Sequence, residues 1–341
     1  MPHVMMTSPI STPLIFEPVL KRILWGGRRL ETLLGKRLGP EPDYAESWEI
    51  ADHPNGQSVV AQPVSLAGKS LAELVHNFPN DLLGPAVAAK YNQFPLLIKF
   101  LDAHQVLSLQ VHPDDSLARQ LVNDNGKNEA WVILHAEPGS RIYAGLKPGV
   151  TRERFQSAID HQTVPDLVHW FEPCPGDCIM IPAGTVHAIG AGIVLAEIQQ
   201  MSDATFRVDD WGRVGADGKP RPLHLKETML ATDFNRGPVG PVVPVILPTN
   251  DSTCLHERLT TCPYFEIDRL QFKNKIRLGD RDKMQFTIMI VLKGKIQISP
   301  FEAAKGAGTT VLLPASLGEI EVRQIGDESS TILACRMPLL Q

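Results

Sequence analysis

Four residues of the chain carry donor groups that suit a divalent metal ion: Gln110, His112, Glu129 and His187. Gln110 and His112 are two positions apart in a stretch where polar and apolar residues alternate, so they share one face of a predicted strand. Glu129 stands two residues after Lys127, and both share a face if Lys127 begins the next strand. His187 follows a Pro-x-Gly turn and completes the set. Two imidazoles, a carboxylate and an amide oxygen suit Zn²⁺ or another first-row ion, with a coordination position left for substrate.

Charged residues near these segments are further candidates for chemistry. Lys99 lies inside the apolar segment 95–101, where a buried ammonium is costly unless it is paired or faces a wet cavity. It is either a cation facing an anionic ligand or a lysine at a barrel mouth with its head in water. Glu197, Asp203 and Arg207 follow the His187 segment and offer two carboxylates and a guanidinium, whose planar fork suits a phosphate or an enediolate oxygen. The alternative for residues 202–207 is an ordinary polar turn.

The elements that must position these residues are mostly short strands separated by turn residues, which predicts an all-β barrel or sandwich core. The predicted strands include 58–62, 96–100, 106–112, 130–134, 141–144 and 178–181. Helices are predicted over 71–78 with a Ser70 cap, from Pro113 through Leu121, over 152–159, and from Thr163 to near Phe171.

Two β-rich regions read as degenerate copies of one another. Residues 176–187 and 308–319 both place a proline six residues after a glycine, and His187 in the first corresponds to Glu319 in the second. A Pro- and Gly-rich stretch between them cannot hold regular ladder pairing and is typical of a connector. We therefore expect a catalytic region at 1–235, a connector at 236–251 and a second, degenerate region at 252–341.

Composition narrows the class of protein. The chain has 341 residues, 43% of them hydrophobic and 21% charged, with a net charge of −5. This composition is typical of a globular protein, and without a Lys/Arg-rich run we expect no nucleic-acid partner. No stretch of about 20 apolar residues occurs, so no membrane partner is expected. The five cysteines and the absence of a signal-peptide pattern favour free thiols in the cytoplasm.

The chain resembles a known family, the type I mannose-6-phosphate isomerases in their short bacterial form. The matching segments, in family order, are Trp25-Gly26-Gly27, Glu46-Ser47-Trp48-Glu49, Phe94–Lys99, Leu107–Asp115, Lys127-Asn128-Glu129, Ile181–His187 and Ser202–Arg207. The repeated turn resembles the second motif of cupins, so the resemblance implies a mainly β fold of two cupin-type (jelly-roll) barrels, with short helices inserted in and around the first. Where the family has Lys-Pro-Glu, this chain has Asn128 in the middle.

The resemblance also implies a function. It implies one Zn²⁺ per chain at Gln110, His112, Glu129 and His187, and interconversion of mannose 6-phosphate and fructose 6-phosphate through an enediolate. Arg207, Lys127, Asp203 and Glu197 are the catalytic candidates, and Ser108 and Lys99 the substrate-binding ones. The expected partner is a small sugar phosphate, and the chain is expected to be a monomer or a homodimer. The alternatives are an Fe²⁺-dependent cupin oxygenase and a sugar-phosphate-binding protein without catalysis.

Overall fold

A computed structural model describes residues 10–215, 218–249, 251–279 and 284–338. Strands β1 to β25 and helices α1 to α7 are numbered in chain order. The helices are α1 (Arg29–Leu34), α2 (Leu71–Asn77), α3 (Pro79–Leu83), α4 (Pro85–Ala88), α5 (Asp115–Val122), α6 (Arg152–Asp160) and α7 (Leu225–Ala231). None of the helices in these ranges is long and apolar enough to cross a bilayer.

The first β-rich unit consists of two sheets. The larger sheet has the order β12-β9-β14-β7-β3-β2 and contains β2 (Val19–Gly27), β3 (Tyr44–Ile50), β7 (Leu96–Ala103), β9 (Glu129–Ala136), β12 (Cys178–Ile181) and β14 (Ile193–Gln200). The other has the order β11-β10-β13-β8-β15 and contains β8 (Leu109–Val111), β10 (Ile142–Leu146), β11 (Val168–Phe171), β13 (His187–Ile189) and β15 (Phe206–Asp209). Two small ribbons pair β1 (Ile15–Glu17) with β6 (Val59–Gln62) and β4 (Asp52–His53) with β5 (Gly56–Gln57).

The second unit also has two sheets. Its larger sheet has the order β16-β17-β18-β25-β20-β23 and contains β16 (Val245–Ile246), β17 (Cys254–Thr261), β18 (Glu266–Phe272), β20 (Thr287–Lys293), β23 (Thr310–Leu313) and β25 (Ser330–Arg336). The smaller has the order β19-β24-β21-β22 and contains β19 (Lys275–Leu278), β21 (Lys295–Ile298), β22 (Lys305–Gly306) and β24 (Ile320–Ile325).

The mainly β class is confirmed, whereas the sheets of the described residues do not close into barrels and a jelly-roll topology is not confirmed. Each unit is a pair of separate sheets, and in the first unit apolar side chains of both sheets pack together, for example Leu101 and Trp131 from one with Ile142 and Ile189 from the other. A larger core joins the two units, where the rings of Phe94 and Phe286 lie 4.8 Å apart. The first unit therefore rests on the second through a shared hydrophobic core.

Local signals predicted most of the helix starts. Ser70 and Glu73 form a capping box at α2, Asp114 caps α5, and Thr151 caps α6. The helix expected from Thr163 to Phe171 is wrong: residues 164–167 form a single 3₁₀ turn and the chain continues as β11, which pairs with β10. The reason is that this strand pairing is long-range, and it outweighs a local Pro signal for helix.

Part of the predicted connector, residues 236–251, pairs as a strand. Val245 and Ile246 form the short edge strand β16, which pairs with Arg258 and Glu257 of β17. The proline-rich segment therefore contributes one short strand to the second unit, at the sheet edge where proline is tolerated.

Candidate metal centre and adjoining cavity

Three of the predicted ligands lie together between the two sheets of the first unit. One ligand atom each of His112, Glu129 and His187 lies within 4.8 Å of the others, and all three side chains are about 1% exposed. His112 Nε2 is 3.3 Å from one carboxylate oxygen of Glu129, and His187 Nε2 is 3.4 Å from the other. The three side chains therefore face one point from three different strands or strand ends.

The backbone fixes which imidazole nitrogen faces this point. His112 Nδ1 lies 2.9 Å from the Ala204 carbonyl, and His187 Nδ1 lies 2.8 Å from the Thr185 carbonyl. A carbonyl oxygen only accepts, so each Nδ1 carries the proton and donates it. In the neutral ring Nε2 then has a free lone pair, as a metal-ligating histidine requires.

Burial and neighbouring charges favour the protonation states of a metal site. Burial, followed by the Lys127 ammonium, lowers the pKa of His112. Burial, with a further contribution from His112, lowers the pKa of His187 to about 3. For Glu129, burial alone would raise the pKa, but Lys127 and His112 outweigh it and hold the pKa well below its usual range. Neutral imidazoles and an ionised carboxylate are the ligand forms that a divalent ion binds.

The Glu129 carboxylate lacks the hydrogen bonds that its burial demands. Neither of its oxygens accepts a hydrogen bond of good geometry from the described residues, although Lys127 Nζ lies 2.9 Å from one of them. A buried charge with so few partners is costly unless a cation completes its surroundings. The residues present therefore fit a bound divalent ion.

Gln110, the fourth predicted ligand, lies beside this group. Its amide nitrogen is 3.3 Å from His187 Nε2, and β8 pairs Gln110 directly with His187 of β13. The amide oxygen and nitrogen exchange places by a half-turn of the side chain. Gln110 therefore reaches the same point as the three other side chains.

Local structure holds the three ligand segments in register. Pro113 cannot continue β8, so the strand ends at Val111 and His112 stands at its end. Gly184, at φ +87°, donates its N–H to the His112 carbonyl at 2.9 Å. Asn128 accepts the Ala183 N–H at 3.0 Å, which joins the start of β9 to the turn before His187. Asn128 thus ties two of the ligand segments together with its side chain.

Alternating charges lead away from the metal group. Lys127 Nζ lies 3.9 Å from Glu197, Lys99 Nζ lies 3.5 Å from Glu197, and Lys99 also lies 3.6 Å from Glu46. Burial would lower the pKa of Lys99, but Glu46 and Glu197 outweigh it and raise the pKa. Burial, together with Glu129, raises the pKa of Glu197. Lys99 is therefore a buried, paired ammonium and not a lysine with its head in water.

A cavity of about 220 Å³ lies along this row of charges. Seven of the ten predicted site residues line it: Lys99, Ser108, Gln110, Lys127, Glu197, Asp203 and Arg207. Asp203 and Thr205 also line a neighbouring cavity of about 640 Å³, and Asp203 accepts a hydrogen bond from Asn55 at 2.8 Å. The small cavity lies below the range of about 300–1,000 Å³ that is typical of drug-sized ligands, so it suits a small molecule.

Two guanidinium groups converge on one wall of the cavity. Arg207 Nε donates to Ser108 Oγ at 3.1 Å, and Arg221 Nη2 donates to the same oxygen at 2.8 Å. Asp210 accepts from Arg221 at 2.7 Å and orients it. Arg221 was not among the predicted residues. The available signal was the glycines at 212, 215 and 218, near which Val214 forms a bridge with Pro220.

Sequence reasoning also missed Trp131. Its indole N–H donates to Glu197 at 3.0 Å, and its ring meets the His187 ring edge-on at a centroid distance of 5.4 Å. The side chain is fully buried and lines the cavity. One residue thus touches both a candidate ligand and a candidate proton carrier, a contact that only the pairing of β9 with β14 creates.

Comparisons with known proteins identify the family. Residues 14–131 match the family model "Phosphomannose isomerase type I, catalytic domain". Mannose-6-phosphate isomerase ManA of Bacillus subtilis is 34% identical over 91% of this chain and 95% of its own length. The mannose-6-phosphate isomerase of Streptococcus mutans is 30% identical over 92% and 98%.

A solved structure agrees with these matches. The crystal structure of the mannose 6-phosphate isomerase from Bacillus subtilis superimposes with a TM-score of 0.84 at 26% identity, over 96% of this chain and all of that one. At this coverage the likeness includes both β-rich units. The chain belongs to the type I phosphomannose isomerase family.

Proposed function

We propose that this protein is a metal-dependent aldose–ketose isomerase that interconverts mannose 6-phosphate and fructose 6-phosphate. The observation that carries the proposal is the buried group of His112, Glu129 and His187 beside a cavity lined by Lys127, Glu197 and two guanidiniums. Such a cavity offers a metal ion, groups that exchange protons and a positively charged wall for a phosphate in one enclosed space.

We propose Zn²⁺ as the ion, with Gln110 as the fourth ligand beside the three buried ones. Nitrogen and oxygen donors without a thiolate suit zinc and keep a position open for substrate. When bound, the ion supplies Lewis acidity that polarises the substrate carbonyl and so acidifies the proton next to it.

The chain's own groups must then move that proton between C2 and C1. Lys127 and Glu197 both face the cavity, and their charged ends are 3.9 Å apart. Burial raises the pKa of Glu197, so this carboxyl exchanges protons nearer to neutral pH than an exposed glutamate. We therefore propose Lys127 and Glu197 as the proton-transfer pair. Asp203 remains a third candidate, because it lines the same cavity but also bonds to Asn55.

The phosphate end of the substrate is proposed to bind at Ser108, Arg207 and Arg221. Two guanidiniums on one hydroxyl form a concentrated positive wall, and Asp210 neutralises only part of it. Lys99 is enclosed between Glu46 and Glu197, so its charge is already balanced. We infer that Lys99 serves the site mainly by holding Glu197 in place. Arg207 would also balance the negative charge of the enediolate.

We also propose roles for the regions. Residues 1–235 would carry the chemistry, 236–251 would connect, and 252–341 would support the first unit through the shared core around Phe94 and Phe286. All five cysteines are free thiols, in keeping with the proposed cytoplasmic location.

A coupled isomerase assay with mannose 6-phosphate, with and without chelator, tests the proposal. We expect turnover that chelator abolishes and added Zn²⁺ restores. His112→Ala should lose metal and activity together. Metal-free protein with full activity would contradict the metal role, binding without turnover would indicate a non-catalytic protein, and oxygen uptake would indicate an oxygenase.

The positive wall has its own test. Arg221→Ala should raise KM for the phosphorylated sugar and Arg207→Ala should lower kcat, while both keep their metal. Lys226→Ala removes an exposed positive charge from the nearby helix α7 and is the matched control. If Lys226→Ala raised KM as much as Arg221→Ala, the effect would come from the positive charge of the surface as a whole and not from a contact between Arg221 and the phosphate.

A further inference from the structure

The second β-rich unit repeats the strand order of the first. Across each larger sheet the spatial order is β2-β3-β7-β14-β9-β12 in the first unit and β16-β17-β18-β25-β20-β23 in the second. If the six strands of each sheet are numbered 1 to 6 along the chain, both spatial orders read 1-2-3-6-4-5. The fifth strand along the chain, β12 in the first unit and β23 in the second, ends directly before the proline of the repeated turn, at Ile181 and at Leu313. Positions in one unit can therefore be matched to positions in the other by following the ladder.

Strand register identifies the counterparts of the catalytic cavity. In the first unit Trp131 pairs with Glu197, which pairs with Lys99. In the second, Met289 pairs with Ala334, which pairs with Asp268. One strand further, Leu101 pairs with Glu46, and Leu270 pairs with His256. The counterparts of Lys99, Glu197, Glu46 and Leu101 are thus Asp268, Ala334, His256 and Leu270.

These four counterparts line a second cavity. It measures about 520 Å³ and lies between the larger sheet and β19 of the smaller one, where Ile276 and Leu278 form its opposite wall. Arg336 lines it from the larger sheet, and Thr249 lies at its exposed rim. The second unit has therefore lost the metal-binding pattern but keeps a cavity where the first has its active site. Within the described residues the only group fit for a metal is the one at His112.

The charged groups inside this cavity balance one another. Asp268 is 1% exposed and accepts from Arg336 at 2.5 Å and from Arg258, and His256 Nε2 lies 3.1 Å from it. Glu266 accepts from both arginines as well. Asp251, Lys275 and Arg277 also line the cavity, and the two cations pair with Glu321 and Glu319. Because the cations of the lining are paired with carboxylates, the cavity presents polar edges to a neutral ligand.

Polar capacity remains on two of these residues. Arg336 uses Nε and Nη2, and its Nη1 has no acceptor among the described residues. His256 Nε2 is buried and makes no hydrogen bond of good geometry to a described residue, although it lies 3.1 Å from Asp268. Opposite lie the apolar side chains of Ile276 and Leu278, and Leu270 lies beside His256 on the larger sheet. A molecule with hydroxyl groups on its edge and C–H groups on its face matches both surfaces.

We propose that this second cavity binds a monosaccharide-sized, uncharged polyhydroxylated molecule. Arg336 donates to its hydroxyl oxygens and His256 exchanges a hydrogen bond with another hydroxyl. The C–H face rests on Ile276 and Leu278. The site lies apart from the metal group, so it is independent of the proposed isomerase activity.

Titration of the full-length protein with methyl α-D-mannopyranoside tests this. The sugar's ring is locked, so the catalytic site cannot isomerise it, and binding is followed by saturation-transfer NMR and calorimetry. We expect saturable binding. Ala334→Leu, which fills the cavity from its floor, and Thr249→Trp, which covers its rim, should each raise Kd by about tenfold or more. Thr249→Trp changes an exposed position, so it tests the site even if Ala334→Leu does not fold.

Controls assign the binding to one cavity. Leu223→Trp places the same bulky ring on another exposed position and should leave Kd unchanged. Lys99→Ala should also leave it unchanged. If Lys99→Ala removes binding and Thr249→Trp does not, the sugar occupies the catalytic cavity and the proposal is wrong. It is equally wrong if the wild-type protein binds none of the glycoside, or if inorganic phosphate displaces it competitively.

Discussion

Replacing Trp131 with phenylalanine separates the positioning of Glu197 from the metal group. The substitution keeps an aromatic ring against His187, where the present rings meet edge-on at 5.4 Å. It removes the indole N–H that donates to Glu197 at 3.0 Å. Glu197 then keeps Lys99, at 3.5 Å, as its main anchor.

The expected size of the effect follows from burial. Trp131 is fully buried, Glu197 is 3% exposed, and its other oxygen already lacks a hydrogen bond among the described residues. Loss of a hydrogen bond to a charged, buried acceptor costs about 1.5–3 kcal/mol of unfolding free energy. General acid–base catalysis contributes about 10²–10⁴-fold, so a displaced but intact Glu197 should lower kcat by less than that, by about tenfold.

Urea unfolding, metal analysis and isomerase kinetics together check this prediction. Metal content should stay at the wild-type level, because His187 keeps its neighbour. Trp48→Phe is the matched control: its indole donates to Glu46 at 2.6 Å, one carboxylate further from the metal group. Trp48→Phe should lower the unfolding free energy by a similar amount but lower kcat less. If Trp131→Phe keeps the wild-type kcat, Trp131 does not position Glu197 for catalysis. If both variants lose kcat equally, the loss comes from general packing and not from the position of Glu197.

Three further predictions concern other contacts. Asn128→Ala removes the acceptor of the Ala183 N–H and a donor to Gln200 at 2.7 Å, so zinc affinity should fall in a calorimetric titration while the fold persists. Asn123→Ala, on an exposed helix end, is the control and should leave zinc affinity unchanged. Asp268→Asn should lower the unfolding free energy by about 2 kcal/mol at pH 7, because the paired arginines and His256 outweigh burial and lower the pKa of Asp268 from 3.8 to about 2. This stabilisation is present above pH ~4 and is lost as the pH falls towards about 2, so wild type and variant should converge there in acid unfolding curves. Chelator should lower the melting temperature of the wild type but not that of Glu129→Gln, and equal shifts in both would argue against a metal at Glu129.

Sequence reasoning succeeded where the signal was local. The alternation around Gln110 and His112 and the turn before His187 are short-range patterns, and so are the caps at Ser70 and Asp114. Each depends on the period of a strand or on a hydrogen bond within a few residues, so it can be predicted without the rest of the chain. The repeat at 176–187 and 308–319 is also local within each copy, and the larger sheets that contain its strands β12 and β23 share one strand order.

Long-range pairing decided the rest. Residues 168–171 became a strand because β10 lies beside them, and Arg221 lines the cavity because its guanidinium reaches Ser108, 113 positions away in the sequence. Trp131 reaches Glu197 only because β9 and β14 are neighbours in the sheet. The sequence alone therefore determined which donor groups are available and on which face each lies. Only the tertiary structure decided which charges are buried together, and so which pKa values shift, because both depend on distances between residues far apart in the chain.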